Sequence, residues 1–300
     1  MTSLDFDPNA VASVISGEES DLIPRQFQHI VSSQVDVDRM DYLVRDSHFA
    51  GVAIGQFDLY YLINSLTVVS HGTGGVQSLG LTQKGVKAYE GFLLSRQLMN
   101  RTLYYHNKVK VLEFMMEEFL REVMRAIKGE EALPPSLEPF VPEYLRLLAE
   151  FNGDATSFMQ ASRKDYLELT EDSIWILARR LVAVQNGPQT ATALAKKILT
   201  RDLLPHFPIE AGKAELLETT LAENGYAIKR DYAILTLETT LYKEGKKAVF
   251  VIDWDGDIKE ISKVSAIIGA FKNQPETEKV LVVLDSSKAE AIRDVGIKSQ

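Results

Sequence analysis

Between Gln34 and Asp46 the chain sets seven ionisable or phenolic groups in thirteen residues, with apolar residues threaded between them at helical spacing. An α-helix turns once in roughly 3.6 residues, so Asp38, Tyr42 and Asp46 share one face and Arg39 and Arg45 flank it. Two carboxylates, a phenol and neighbouring guanidiniums on one face could hold a metal ion and a polyphosphate together. A solvated helix carries the same mixture, and Asp41 with Arg45 is an ordinary i,i+4 surface pair. The spacing fixes the helix and leaves both uses open.

Helices dominate the first half of the pattern. Asp7-Pro8 reads as a helix start with proline at the first position, and Val11, Val14 and Ile15 follow at helical spacing. A polar connector over 17–22 precedes one helix from Gln26 to Asp46, and Phe57 to Leu66 reads as a further helix. Strand-like runs on either side of His71-Gly72-Thr73-Gly74-Gly75 predict a hairpin over 67–81. No Gly-Lys-Ser or Gly-Lys-Thr follows these glycines, so they read as a turn and not as a phosphate cradle. From Thr82 the chain reads helical to about Lys128, with one or two breaks. Its stripe of methionines and aromatics, Phe92, Met99, Met115 and Phe119 among them, fits a core or partner interface. Gly129 to Pro142 reads as a linker. Helices over 142–184 and 190–199 then give way, beyond Arg201, to an α+β pattern with a helix over 211–224 and strands over 231–242, 247–253 and 280–284. The expected organisation is a mainly α fold over 1–128, a linker and helical segment over 129–199, and a smaller α+β domain over 200–300.

Composition narrows the classes. With 45% hydrophobic and 25% charged residues, the 300-residue chain can form one large or two medium domains. A net charge of −9 makes a general nucleic-acid surface an unlikely use of the exterior, although a local basic pocket can coexist with it. The absence of cysteine excludes disulfides and thiolate metal sites. The stretch Met1 to Pro8 has no basic region and apolar core of a signal peptide, and no apolar run approaches roughly 18 residues. These features predict a cytoplasmic protein without a membrane span.

The string from Ser32 to Val52, SSQVDVDRMDYLVRDSHFAGV, resembles the last metal-site segment of the HD-domain phosphohydrolases. Within them it is most similar to the deoxynucleoside triphosphate triphosphohydrolases and their mammalian SAM-and-HD-domain relative. That branch carries D-x-D-[RK]-x-D-Y-x-x-R-D, then a G-[VI] turn and an F-D pair. Asp36, Asp38, Arg39, Asp41, Tyr42, Arg45 and Asp46 match it, followed by Gly51-Val52 and Phe57-Asp58. The resemblance continues with Arg96 and Tyr104, eight residues apart as in the mammalian relative, whereas Asn107 and Lys108 depart from its spacing by one. It extends to Glu260–Ser265, which is similar to the C-terminal region of bacterial members.

The resemblance implies hydrolysis of a deoxynucleoside triphosphate by a metal-activated water, with a divalent ion (Mg, Mn or Fe) as cofactor. Asp38 would be its last ligand. Arg39 and Arg96 would meet phosphates, Tyr42 and Asp46 would border the sugar, and Tyr104 would line the pocket. The family's other ligands are a distant His and an adjacent His-Asp pair. Here the five histidines precede Ile30, Phe49, Gly72, Asn107 and Phe207, so no His-Asp pair exists. One carboxylate does not hold a transition metal. The expectation is therefore an incomplete enzyme, inactive alone, whose metal site needs the N-terminal HD segment from elsewhere or from a partner chain in a homo-oligomer or hetero-complex. Met40, Leu43 and Val44 would then lack packing partners and favour association. The alternative is a non-catalytic nucleotide-binding regulatory or assembly subunit.

One other motif invites a reading. Asp253-Trp254-Asp255-Gly256-Asp257 resembles the nucleophile loop of haloacid-dehalogenase phosphatases, but only 43 residues remain after it. As a calcium loop it fails, with Ile258 where glycine is required and Val264 where glutamate is required. A hairpin turn is the expectation.

Overall fold

A computed structural model describes residues 7–18, 22–72, 74–131, 133–152, 154–273 and 275–299. Residues 5–6 of the first expected helix, 19–21 of the connector, Thr73 of the hairpin and Ala132 of the linker lie outside the described residues. The fold is mainly α with a smaller α+β part toward the C-terminus, as the sequence pattern predicts.

In chain order the helices of the first part are α1 (Pro8–Ser16), α2 (Arg25–Val31), α3 (Val37–Ala50) and α4 (Leu59–Asn64). Strands β1 (Leu66–His71) and β2 (Val76–Thr82) follow, then α5 (Val86–Met99), a π-helical segment Asn100–Tyr104 and α6 (Asn107–Ile127). Next come α7 (Glu143–Glu150), α8 (Ala155–Ala161), α9 (Arg163–Glu168), α10 (Glu171–Ala183) and α11 (Gln189–Thr200). The last part holds β3 (His206–Ile209), α12 (Ala214–Glu223), β4 (Tyr232–Thr240), β5 (Phe250–Ile252), β6 (Ile258–Glu260), α13 (Ala266–Phe271), β7 (Pro275–Val283) and α14 (Ala289–Ser299).

The single helix expected over 26–46 is two helices. Asp36 caps α3, its carboxylate accepting from the backbone N–H of Arg39 at 2.9 Å and of Ser33 at 3.1 Å. A side chain that satisfies the first free N–H groups starts a helix anew, and here that advantage outweighs helical continuity through Ser32 and Ser33. Gly51 ends α3 with φ 68°, the left-handed conformation glycine tolerates best. Gly55 then lets the chain cross close to α3: a Cβ there would stand 2.6 Å from the Leu43 carbonyl oxygen.

The compact units do not follow the three consecutive segments expected at 1–128, 129–199 and 200–300. One unit joins 1–106 with 237–278, and the other joins 107–236 with 279–300. In the first, the hairpin of β1 and β2 extends into a four-stranded sheet ordered β1-β2-β5-β6, with β2 and β5 parallel. Gln34 fastens the returning segment. Its side-chain amide donates to the carbonyls of Lys243 and Lys247, both at 2.7 Å, and accepts from the Lys243 N–H at 2.8 Å. Met40, Leu43, Tyr89, Phe92, Met99, Tyr242 and Val251 are buried in one core. The expectation that Met40 and Leu43 lack packing partners is thus corrected: they are 2% and 0% exposed, and only Val44 of the three stays at the surface. The second unit buries Leu217, Leu221, Tyr232, Leu281 and Ile292 between α12, α14 and the strands there. Its strand β3 pairs antiparallel with β7 and was not foreseen, since His206-Phe207-Pro208-Ile209 is too short and proline-interrupted to show a strand period.

Candidate functional site

The site is built on α3 and α5 and the π-helical turn after α5. Tyr42 and Asp46, one helical turn apart on α3, meet Tyr104. The Tyr104 hydroxyl donates to Asp46 Oδ2 at 2.8 Å, and the Tyr42 and Tyr104 rings stand edge to face with centroids 5.8 Å apart. Tyr104 reaches α3 from the wide turn Asn100–Tyr104, in which the Tyr105 N–H donates to the Asn100 carbonyl at 2.7 Å. Such π-helical turns shift register by one residue and recur at functional sites. Burial first, and then the hydrogen bond to Asp46, hold the Tyr104 phenol protonated well above its usual range.

Arg96 lies near the end of α5, half-buried. Its Nε is enclosed and has no hydrogen-bond partner among the described residues. An enclosed guanidinium N–H without an acceptor is costly, and it marks a place where an anion would be favoured. Two turns earlier on α5, the fully buried Tyr89 donates to the Gln34 carbonyl at 3.3 Å. Burial raises the Tyr89 phenol, and the positive charges of Arg96 and Arg39 oppose that rise, so both guanidiniums act on the same buried spot.

Arg39 is committed differently. Its guanidinium is bound to the Asp36 carboxylate, which is 4% exposed. Asp38 stands exposed in the first turn of α3, and Asp41 and Arg45 form the expected surface pair at 2.9 Å, largely solvated and worth little. The structure therefore brings Tyr42, Asp46 and Tyr104 into direct contact. The charges of Arg96 and Arg39 both bear on Tyr89, and Asp38 stands exposed in the first turn of α3. Sequence reasoning missed Gln34 and Tyr89. Gln34 heads the charged run, and Tyr89 stands at i−7 from Arg96 on the same helical face, which is the signal that could have found it.

A resident divalent metal does not fit the donor set. Among the described residues no three of His, Cys, Asp and Glu gather where they could hold an ion. The Asp253 loop is occupied as a turn: Asp253 Oδ1 accepts from the Asp255 and Asp257 N–H groups at 3.0 and 2.9 Å, and Oδ2 binds Lys259. Among the described residues no helix is long and apolar enough to cross a membrane.

Residues 57–133 match the sequence pattern of the HD associated region. An uncharacterized protein of Methanocaldococcus jannaschii is 36% identical over 99 residues, which are 33% of this chain and 21% of that protein. The uncharacterized protein YwfO of Bacillus subtilis is 23% identical over 282 residues, 90% of this chain and 60% of YwfO. Among solved structures, a phosphohydrolase from Bacteroides thetaiotaomicron superposes with a TM-score of 0.66 at 20% identity, covering 92% of this chain and 66% of that one. A hypothetical protein from Aquifex aeolicus gives 0.64 at 20% identity, covering 97% and 66%. The chain thus spans no more than about two thirds of the length of these relatives. The likeness to these solved structures is one of fold over most of the chain, and the likeness to the HD associated region is confined to residues 57–133.

Proposed function

We propose that this chain forms the substrate-holding part of an HD-type phosphohydrolase that acts on deoxynucleoside triphosphates and releases triphosphate. The observations that carry this reading are the contact of Tyr104 with Asp46 and Tyr42 and, eight residues earlier in the chain, an Arg96 whose enclosed Nε lacks an acceptor among the described residues. A phosphate oxygen would satisfy Arg96 and take the charge that develops during transfer. The Tyr104 hydroxyl engages Asp46 Oδ2 and leaves Oδ1 able to accept from a sugar hydroxyl. The edge-to-face tyrosines offer an apolar wall to the sugar ring, against which an added 2′ hydroxyl would lose its hydration. Arg39 would reach a phosphate only by leaving Asp36. The metal of the proposed chemistry requires ligands that the described residues do not group; an N-terminal HD segment or a partner chain would supply them, with Asp38 exposed and open to join.

The test is equilibrium binding of a deoxynucleoside triphosphate and its ribonucleotide counterpart to the purified chain. Arg96→Ala should weaken both at least tenfold at one binding site, and Asp46→Ala should reduce that site's preference between them. Equal binding by wild type and Arg96→Ala would end this reading. The regulatory-subunit alternative shares the binding result and separates on turnover: triphosphate release on adding a partner that carries the family's His and His-Asp ligands supports the enzyme.

A further inference from the structure

We propose that the groove between α10 and α11 binds a nucleoside phosphate, its base against Trp175 and its phosphates on Arg179 and Arg201. This groove encloses about 520 Å³, within the range of about 300–1,000 Å³ typical of small-ligand sites. Asp172, Trp175, Ile176 and Arg179 line it from α10, at the i, i+3, i+4 and i+7 positions of one helical face, and Ile198 and Arg201 line it from α11 and its cap.

Three features point to a ligand rather than to a solvated surface. The indole Nε1–H donates to Glu171, one helical turn earlier, at 3.0 Å, which favours one orientation of its flat apolar face. The guanidiniums are unspent: among the described residues neither Arg179 nor Arg201 forms an ion pair. Their neighbours are engaged, Arg180 over the Phe140 ring at 4.5 Å and Asp202 with Lys197 at 2.7 Å. Arg201 also occupies the left-handed cap of α11 with φ 55° and ψ 31°, a position where glycine is the usual residue. Glycine would sit in this cap with less strain, so the arginine stands there at a backbone cost.

Guanidinium forks match phosphate oxygens two at a time, and an indole face stacks on any base. Asp172, at the far end of the row, can accept from an exocyclic base amine. The chain's net charge of −9 offers no extended basic track for a polynucleotide. The site is separate from that on α3 and α5 and does not depend on the phosphohydrolase reading.

The chain has two tryptophans, so Trp254→Phe leaves Trp175 as the only tryptophan reporter. In that background, ATP titrated in EDTA should quench Trp175 fluorescence saturably. Arg179→Ala and Arg201→Gly should each weaken the interaction at least tenfold. Arg201→Gly should hold or raise the thermal midpoint, because glycine fits the left-handed cap. Arg96→Ala should leave the quench unchanged, and adenosine and pyrophosphate should each bind at least tenfold more weakly than ATP. Absence of a saturable quench, indifference to both arginine variants, or loss of the quench in Arg96→Ala would overturn the proposal. So would pyrophosphate or adenosine binding as tightly as ATP, or a single-stranded oligodeoxythymidine binding more tightly than ATP.

Discussion

The start of α3 and the turn between β5 and β6 both set aspartates two residues apart, Asp36 and Asp38 in one and Asp253, Asp255 and Asp257 in the other. In the turn the chemistry is spent locally: Asp253 holds two backbone N–H groups and Lys259, all within six residues of itself. Asp36 likewise works nearby, capping its own helix and binding Arg39. Ten residues further along α3, Asp46 does something else and takes its partner from Tyr104, 58 residues away. A carboxylate satisfied by its own turn stabilises that turn and has little left for a ligand. A carboxylate that waits for a distant partner depends on tertiary packing and keeps an oxygen available.

The largest effect should come from Asp36→Ala. It removes a cap and leaves Arg39, which is only partly exposed, without its counter-charge. A lost cap costs about 1 kcal/mol, and the roughly 3–5 kcal/mol of breaking a fully buried pair is discounted to about 1–3 because the Arg39 side chain is 25% exposed, so a loss of about 2–4 kcal/mol is expected by denaturant titration. A loss under about 0.5 kcal/mol, the scale of ordinary surface changes, would show that Asp36 is no anchor and blur the contrast.

Next in size is the coupling between Asp46 and Tyr104. A double-mutant cycle with Asp46→Ala and Tyr104→Phe should return about 1 kcal/mol, the net worth of one part-buried hydrogen bond. Additive single effects would mean that the bond is not formed in solution. Tyr104→Phe keeps the ring against Tyr42, so it should alter nucleotide discrimination less than Asp46→Ala does.

The smallest effect belongs to the turn and shows only in acid. The hydrogen bond from Lys259, aided by the two turn N–H groups, holds the Asp253 carboxyl below its usual 3.8. A depressed folded value gives stability that is present above the unfolded value and is lost as pH falls through the folded one. Asp253→Asn should therefore flatten the fall in thermal midpoint below about pH 4 and leave nucleotide binding unchanged. An unchanged acid slope would place the carboxylate's partners elsewhere, and altered nucleotide binding would make this loop part of a site.

Local order was readable along much of the chain. Asp7-Pro8 caps α1, the glycine-rich run joins β1 to β2, and Asp253 to Asp257 form a turn, because each is decided by side chains bonding to backbone a few residues away. The charged face of α3 was legible for the same reason, and the family resemblance added Arg96 and Tyr104. The break at Asp36 escaped the helical period, since a cap is one residue and periodicity averages over many.

What the sequence determined by itself is the helical character of most of the chain and the placing of Tyr42 and Asp46 on one face, since a repeat of roughly 3.6 residues leaves no other arrangement for that pair. Tertiary structure decided the rest. It returned 237–278 to the first unit through Gln34 and the parallel pairing of β2 with β5, contacts made across some two hundred residues. It turned Tyr104 onto Asp46 through a π-helical shift of one residue, and it divided two similar guanidiniums between different tasks. Arg39 has a carboxylate three residues away and takes it, whereas Arg96 has none beside its enclosed Nε and is left to whatever anion enters.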